Sequence, residues 1–304
     1  MSREVVVVGA VRTAIGTFGG NLKDIAPTEL GAQVVRESLA RASVDGKDVG
    51  HVVNTEPKDM YLSRVAAING GCGDGTPAYN VNRLCGSGLQ AIVSAAQSVL
   101  LGDTDIAIGG GAENMSRAPF ASLNMRWGAR MDDSKMVDMM MGALHDPFHT
   151  IHMGVTAENI AAKWGISRDT QDALAVESHN RAQKTTEAGY FKSQIRPVML
   201  KSKKGDVAYE TDEHFRPNCK LEDMAKLKPV LIKENGTVTA GNASGINDAT
   251  AAVALMEKSV ALANTFVAFS CKGRGVCPSC TTRRMAETAA HLCDHVFPRL
   301  PVRQ

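Results

Sequence analysis

The first apolar run, Val5-Val6-Val7-Val8, is β-branched throughout and passes into Gly9-Ala10. Stiff branched side chains favour extended backbone, and an unbroken apolar run suits a strand covered on both faces. Thr28-Glu29-Leu30 then opens a helix that carries Leu30, Val34, Val35, Leu39 and Ala42 on one face. His51–Val53 reads as a stub of strand, Met60–Asn69 as a helix stopped by Gly70-Gly71, and Ala78–Asn82 as a short strand. Gly86 to Leu101 predicts a long helix rich in Ala, Val, Leu and Ile, ended by Gly102. Asp105–Ile108 predicts a strand running into Gly109-Gly110-Gly111. Strands alternating with helices indicate a layered α/β lobe.

The pattern changes after Glu113. The stretch to about Ala240 is rich in Met, Arg and loop signals, with polar helices near Thr156–Trp164 and Ser167–Ala188, and reads as an inserted subdomain. Apolar α/β character returns at Ala249–Met256, expected to be another core strand. No internal repeat or low-complexity run is evident.

Composition narrows the class. The chain has 304 residues, 44% hydrophobic and 22% charged, with a net charge of +2. These values exclude wholesale disorder and argue against a chain that binds nucleic acid throughout. No apolar run is read as reaching the ~18–20 residues of a membrane helix, so no membrane partner is expected. Ser2-Arg3-Glu4 followed by four valines does not fit a signal peptide, which leads us to expect a cytoplasmic protein whose seven cysteines form no disulfide framework. Charge shifts near Asn264: residues 265–304 carry six basic residues against two acidic ones, and hold four of the seven cysteines.

The sharpest chemical feature is Asn82-Arg83-Leu84-Cys85-Gly86-Ser87-Gly88-Leu89-Gln90. A cysteine at the turn into a long helix meets unpaired N–H groups and the positive end of the helix dipole. Both favour thiolate, the nucleophilic form, and the flanking glycines allow close approach of a substrate. A buried structural cysteine beside a glycine-rich turn is the alternative.

Asn82–Gln90 resembles the nucleophile segment of thiolases, the acetyl-CoA acetyltransferases and 3-ketoacyl-CoA thiolases. Further segments resemble the same family: Val11–Gly16 with Phe18-Gly19-Gly20, Gly109–Ser116, His152-Met153-Gly154 with Thr156–Asn159, and Thr237–Gly245. The resemblance covers about residues 1–262 and is nearest to bacterial β-ketothiolases. It implies a thiolase-like α/β fold: residues 1–112 as the first part of the N-terminal lobe, 113–240 as an inserted CoA-binding loop domain, and 241–264 as the return to the lobe. It also implies acyl transfer between acetyl-CoA or 3-ketoacyl-CoA and CoA through an acyl thioester on Cys85, whose N–H would contribute to an oxyanion hole. By the same resemblance, Arg216 lies near the CoA nucleotide and Ser244 contacts the pantetheine arm, with Ala240 and Gly241 lining that channel. Leu144, His152 and Met153 lie along the pantetheine and acyl tunnel. No cofactor is required beyond the CoA substrates, and a dimer or tetramer of identical chains is expected.

In the family a second α/β lobe supplies Asn-Glu-Ala-Phe, Gly-His-Pro and Cys-x-Gly-Gly-Gly motifs. None of these occurs here, so the second lobe is expected to be missing and turnover impaired. Cys271-Lys272-Gly273-Arg274-Gly275 imitates the last motif, but Arg274 stands where a glycine is needed and no Gly-His-Pro precedes it. The segment His51–Pro57 also looks a few residues short of the family pattern. Residues 265–304 contain Cys277-Pro278-Ser279-Cys280, a spacing suited to tetrahedral zinc, with Cys271 as a third candidate ligand. This tail resembles a zinc-binding segment of insertion-sequence transposases, which would allow nucleic-acid contact there alone. The alternatives are therefore an acyltransferase by descent, a zinc and nucleic-acid binding chimera, or a non-functional product of an interrupted gene.

Overall fold

The computed structural model describes residues 3–42, 57–129, 131 and 133–263. The strand stub at His51–Val53, the shortened 51–56 segment and the cysteine-rich tail lie outside the described residues. In chain order the elements are β1 (Val5–Arg12), β2 (Gly16–Thr17), α1 (Pro27–Ala42), a 3-10 turn (Pro57–Tyr61), α2 (Leu62–Gly70) and α3 (Ser87–Leu101). Then come β3 (Ile106–Asn114), β4 (Phe120–Ala121), β5 (Val137–Asp138), α4 (Met139–Ala143), α5 (Met153–Trp164) and α6 (Arg168–Glu187). The last are β6 (Val198–Leu200), β7 (Val207–Tyr209), α7 (Leu221–Ala225), β8 (Asn247–Glu257) and α8 (Lys258–Ala263).

β8 is the centre of the sheet. β1 and β2 pair antiparallel along one side of it, and β3 pairs antiparallel along the other, from Ile106 opposite Met256 to Asn114 opposite Asp248. Side chains alternate between faces along a strand. Val6, Val8, Ile108, Ala252, Ala254 and Met256 accordingly pack against Val34, Val35 and Leu39 of α1. Their neighbours Val5, Val7, Ala107, Val253 and Leu255 pack against Ala95 and Val99 of α3. The valine run is apolar at every position because both faces are covered. The expected layered α/β architecture is observed: α1 and α2 on one face, α3 on the other.

Two readings of the sequence are corrected. The glycine run does not follow a strand but lies within one, since β3 continues through Gly109–Gly111 to Asn114. A Cβ at Gly109 would lie 2.5 Å from the Cα of Ile92 and 2.7 Å from its nitrogen, so glycine is what lets the α3 backbone rest on the sheet. Ala78–Asn82 is not a strand. No strand ladder among the described residues includes it. Asn80 holds it instead, donating to the carbonyls of Asp59 and Met60 at 3.1 Å and accepting from the Ser63 N–H at 3.0 Å.

A third correction concerns α3. Leu84–Leu101 spans 18 residues at mean hydropathy 1.4, enough by length and composition to cross a bilayer, contrary to the expectation that no run reaches that length. Its buried positions, Ser87, Ala91, Ala95 and Val99, recur every four residues and face the sheet. The opposite side is also apolar: Leu89 is 69% and Leu101 78% exposed, with Val93 and Leu100 between them. Gln90, Ser94, Gln97 and Ser98 interrupt the apolar positions, so what stays uncovered is an apolar patch of Leu89, Val93, Leu100 and Leu101, the kind of surface suited to burial by another layer.

The inserted stretch shares a core with the first lobe. Ile195, Val198 and Tyr209 pack against Ala14, Leu22 and Leu30. Arg12 reinforces this junction, with its guanidinium 2.8 and 3.0 Å from the two carboxylate oxygens of Asp212.

Candidate active site

Cys85 stands exposed at the turn into α3. Leu84, before it, adopts φ +49°, a left-handed conformation that costs a side-chain-bearing residue roughly 1–2 kcal/mol. Local hydrogen bonds hold the bend. The Leu84 N–H donates to Asn82 Oδ1 at 2.9 Å, and the buried Ser87 hydroxyl accepts from the Arg83 N–H and donates to the Leu84 carbonyl, both at 2.7 Å. Arg83 reaches on to Gln90 at 2.9 Å. Gly86 caps the helix without a side chain, and the Gly86 and Ser87 N–H groups turn back to the Arg83 and Leu84 carbonyls at 3.1 and 3.0 Å, so the helix head acts on an anion beside Cys85 chiefly through its dipole. The sulfur meets no hydrogen-bond partner among the described residues, which removes the reading of Cys85 as a buried structural residue.

The close approach along β3 fixes where this turn lies. Ile92 crosses Gly109, and the Gly88 Cα lies 3.5 Å from where a Gly111 Cβ would be, so the head of α3 points to the Glu113–Ser116 end of the strand. That end pairs with the start of β8, at Asp248. Asp248 is buried and accepts from the Ser116 N–H at 3.0 Å and the Ser116 hydroxyl at 2.5 Å. Burial nevertheless pushes its carboxyl above the usual range. Glu113 is pushed up to about 7, first by burial and then by the carboxylates of Asp59 and Asp248. One carboxyl oxygen of Glu113, Oε1, is buried without a partner.

The other expected residues fall in two groups. Leu144 closes α4, and its carbonyl accepts from the Met153 N–H at 2.8 Å. His152 is the N-cap of α5, its Nδ1 accepting from the Gly154 N–H at 3.0 Å, and its ring meets that of His145 edge-on at 5.3 Å. The structure thus joins Leu144, His152 and Met153, and gives His152 a capping role. Met153 is partly exposed.

The second group surrounds the 240–245 loop. Gly241 packs on Met224 and Leu227, where a Cβ would collide with both. The His214 imidazole lies against Gly245, and the His179 ring centroid is 6.1 Å from that of His214. The Arg216 N–H donates to His179 Nδ1 at 3.2 Å, while the Arg216 side chain is exposed. Burial, His214 and Arg216 together lower the His179 pKa. Ala240 and Ser244 are exposed on the same loop. Among the described residues no hydrogen bond or ion pair ties Cys85 to either group. Ser244 nevertheless lies three residues before β8, and therefore at the same end of the sheet as Cys85.

Glu158 was quoted in the sequence only as part of a motif. It is buried on α5, accepts from the Thr237 and Val238 N–H groups at 2.8–2.9 Å and from the Thr237 hydroxyl at 2.6 Å, and so anchors the segment leading to Ala240. Its local signal was an acid on the inner face of an amphipathic helix, which has no partner until the fold is closed. Cys271, Cys277 and Cys280 lie outside the described residues. Among the described residues no cluster of His, Cys, Asp or Glu has metal-binding geometry.

The model of the thiolase N-terminal domain matches residues 5–259. The chain belongs to the thiolase family. It is 68% identical over 266 residues to beta-ketothiolase BktB of Cupriavidus necator, covering 86% of this chain and 68% of that one. It is 47% identical over 265 residues to an acetyl-CoA acetyltransferase of Syntrophomonas wolfei, covering 85% and 66% respectively. Among solved structures, human mitochondrial 3-ketoacyl-CoA thiolase superposes with a TM-score of 0.84 at 38% identity, over 88% of this chain and 69% of that one. This thiolase chain therefore has the thiolase fold, and spans about two thirds of the length of the relatives it matches. The family match ends before residues 265–304 begin.

Proposed function

We propose that this chain is an acyltransferase acting on CoA thioesters, with Cys85 as nucleophile. The Cys85 sulfur attacks the thioester carbonyl, the Cys85 proton passes to a base, and the carbon–sulfur bond to CoA breaks, leaving an acyl-Cys85 thioester and free CoA. The acyl group then passes to CoA (thiolysis) or to the enolate of a second acyl-CoA (condensation). One observation carries the reading: an exposed cysteine on a strained, hydrogen-bonded turn at the uncapped head of α3, within a chain matched from residue 5 to 259. The Cys85 N–H, and any other first-turn donor of α3 that reaches the carbonyl oxygen, would stabilise its developing charge.

Residues 113–240 form the CoA-binding loop domain on this reading, flanked by the lobe at 1–112 and 241–264. Arg216 meets the nucleotide, Ser244, Ala240 and Gly241 flank the pantetheine arm, and Leu144, His152 and Met153 line the acyl end. The grouping of these residues supports that reading. The histidine and second cysteine motifs of the family do not occur in these 304 residues. The chain associates with copies of itself and acts in the cytoplasm. For residues 265–304 we retain the transposase-like zinc segment, through Cys271, Cys277 and Cys280, as a reading of sequence alone; zinc stoichiometry by elemental analysis decides it.

The test of acyl transfer is intact mass after incubation with acetyl-CoA. Wild type should gain one acetyl group and Cys85→Ala none. Equal labelling of both would remove Cys85 from the mechanism.

A further inference from the structure

A cavity of about 600 Å³ opens where α1, the 57–61 turn, α2 and the 196–199 segment meet. Neither Cys85 nor any residue assigned above to the CoA path lines it. Glu29, Gln33 and Arg36 enter it from α1 at positions i, i+4 and i+7, one stripe of one helix face. Lys58 and Arg196 complete its charged wall.

Three cations thus face one carboxylate, and the cations are poorly compensated. Lys58 is exposed and has no ion pair among the described residues. Arg36 donates from one Nη to the Asn69 carbonyl, which satisfies a donor but neutralises no charge. Arg196 lies 3.2 Å from Glu37, but Glu37 is shared with Arg41 at 2.9 Å, so one carboxylate serves two guanidinium groups. The opposing Glu29 lies in the first turn of α1, where the positive end of the helix dipole offsets part of its charge. The remaining wall is apolar, formed in part by Ala32, Val65 and Met199. A concave site of this volume, with a few convergent cations on an apolar wall, has the size and chemistry of a small-molecule pocket. Planar guanidinium groups suit the oxygens of a phosphate.

We propose that this cavity binds a phosphorylated small molecule, at a site separate from the acyl-transfer centre. The proposal does not depend on the role given to Cys85. It is tested by isothermal titration of the full chain with inorganic pyrophosphate, in low salt and again in ~0.2 M salt, where exposed charge interactions are screened within ~10 Å. One site is expected, weakened at the higher salt. Lys58→Glu and Arg36→Gln are each expected to weaken binding by about tenfold, the scale of losing one charge-assisted contact. Lys58 holds nothing in place, so its variant should fold, as circular dichroism would confirm. Lys184→Gln, an exposed charge that does not line the cavity, should leave pyrophosphate affinity unchanged. No heat of binding to wild type, or an affinity unchanged in both Lys58→Glu and Arg36→Gln, would overturn the proposal.

Discussion

Replacing Glu113 by Gln should stabilise the protein above neutral pH and not below pH 5. Glu113 sits in β3 opposite Ala249, one carboxyl oxygen buried without a partner and two further carboxylates nearby. Its pKa rises from 4.5 to about 7, chiefly through burial. Between those values the folded chain holds a proton that the unfolded chain has released. The stabilisation is therefore complete below pH 4.5 and is lost as pH rises through 7. Each pKa unit corresponds to about 1.36 kcal/mol, so a gap of roughly 2.5 sets a ceiling near 3 kcal/mol, and partial solvation of the side chain brings the expected effect to about 2. Gln keeps the shape and cannot ionise. Other groups titrate here too. Asp248 has the same sign, whereas His179, whose pKa is lowered, gains stability with rising pH below 6.5. Both are present in wild type and variant, so the difference between the two proteins reports Glu113 together with its coupling to Asp59 and Asp248. Urea unfolding at pH 5 and pH 8 measures it. The stability of Glu113→Gln relative to wild type should increase by about 2 kcal/mol between the two pH values. A difference that stays flat would mean Glu113 ionises normally and the buried-carboxyl reasoning is wrong.

Three further outcomes are expected. Gly109→Ala forces a methyl group into the Ile92 backbone and should destabilise the fold by about 2–3 kcal/mol, with slower alkylation of Cys85 by iodoacetamide in the folded protein. Unchanged stability would refute the close helix–sheet approach. Glu158→Ala strands the Thr237 and Val238 donors and should cost about 3 kcal/mol, seen as a fall of several degrees in Tm, together with faster proteolysis in the 237–245 loop. Leu89→Lys with Leu101→Lys should reduce self-association measured by light scattering while leaving the circular dichroism spectrum intact, because both side chains stand on the uncovered face of α3.

The local signals that survived in the sequence were those whose physics is local. The branched valine run of β1, the apolar stripe of α1 and the turn into α3 each carry their reason within a few residues. The centre of the sheet did not. β8 is recognisable as a strand, but nothing near Ala249 reveals that it lies between Val5–Arg12 and Ile106–Asn114, across a long insertion. The glycines at 109–111 misled for a related reason. Taken locally, glycine interrupts a strand, yet here its lack of a side chain serves a helix some twenty residues earlier in the chain. Glu158 shows the same limit at the candidate site: an acid on a helix is ordinary until Thr237 and Val238 arrive to donate to it. The turn that carries Cys85 was legible because Asn82 to Gln90 is contiguous.

The exposure of Cys85 and that of the outer face of α3 have one structural origin. Cys85 precedes the helix whose inner face, Ser87, Ala91, Ala95 and Val99, is seated on the sheet. Leu89, Val93, Leu100 and Leu101 point the other way and meet nothing comparable among the described residues. A layer that covered those side chains would also wall the space above the turn, excluding water from an acyl group on the sulfur and strengthening each donor aimed at it. The two steps of the proposed chemistry need this layer to different degrees. Acylation draws on the turn, the sulfur and the helix head, which are present here, and on a base for the Cys85 proton. Passing the acyl group to a second acyl-CoA also requires a group that takes that substrate's α-proton, and the family's motif for that is not in this sequence. Exposure should also allow acyl-Cys85 to hydrolyse. Acetylation of Cys85 that added CoA reverses and that decays slowly in buffer, without condensation of acetyl-CoA to acetoacetyl-CoA, is therefore the expected kinetic pattern. Steady formation of acetoacetyl-CoA would show that the described part of the architecture completes the reaction, and that the uncovered face of α3 is no obstacle to it.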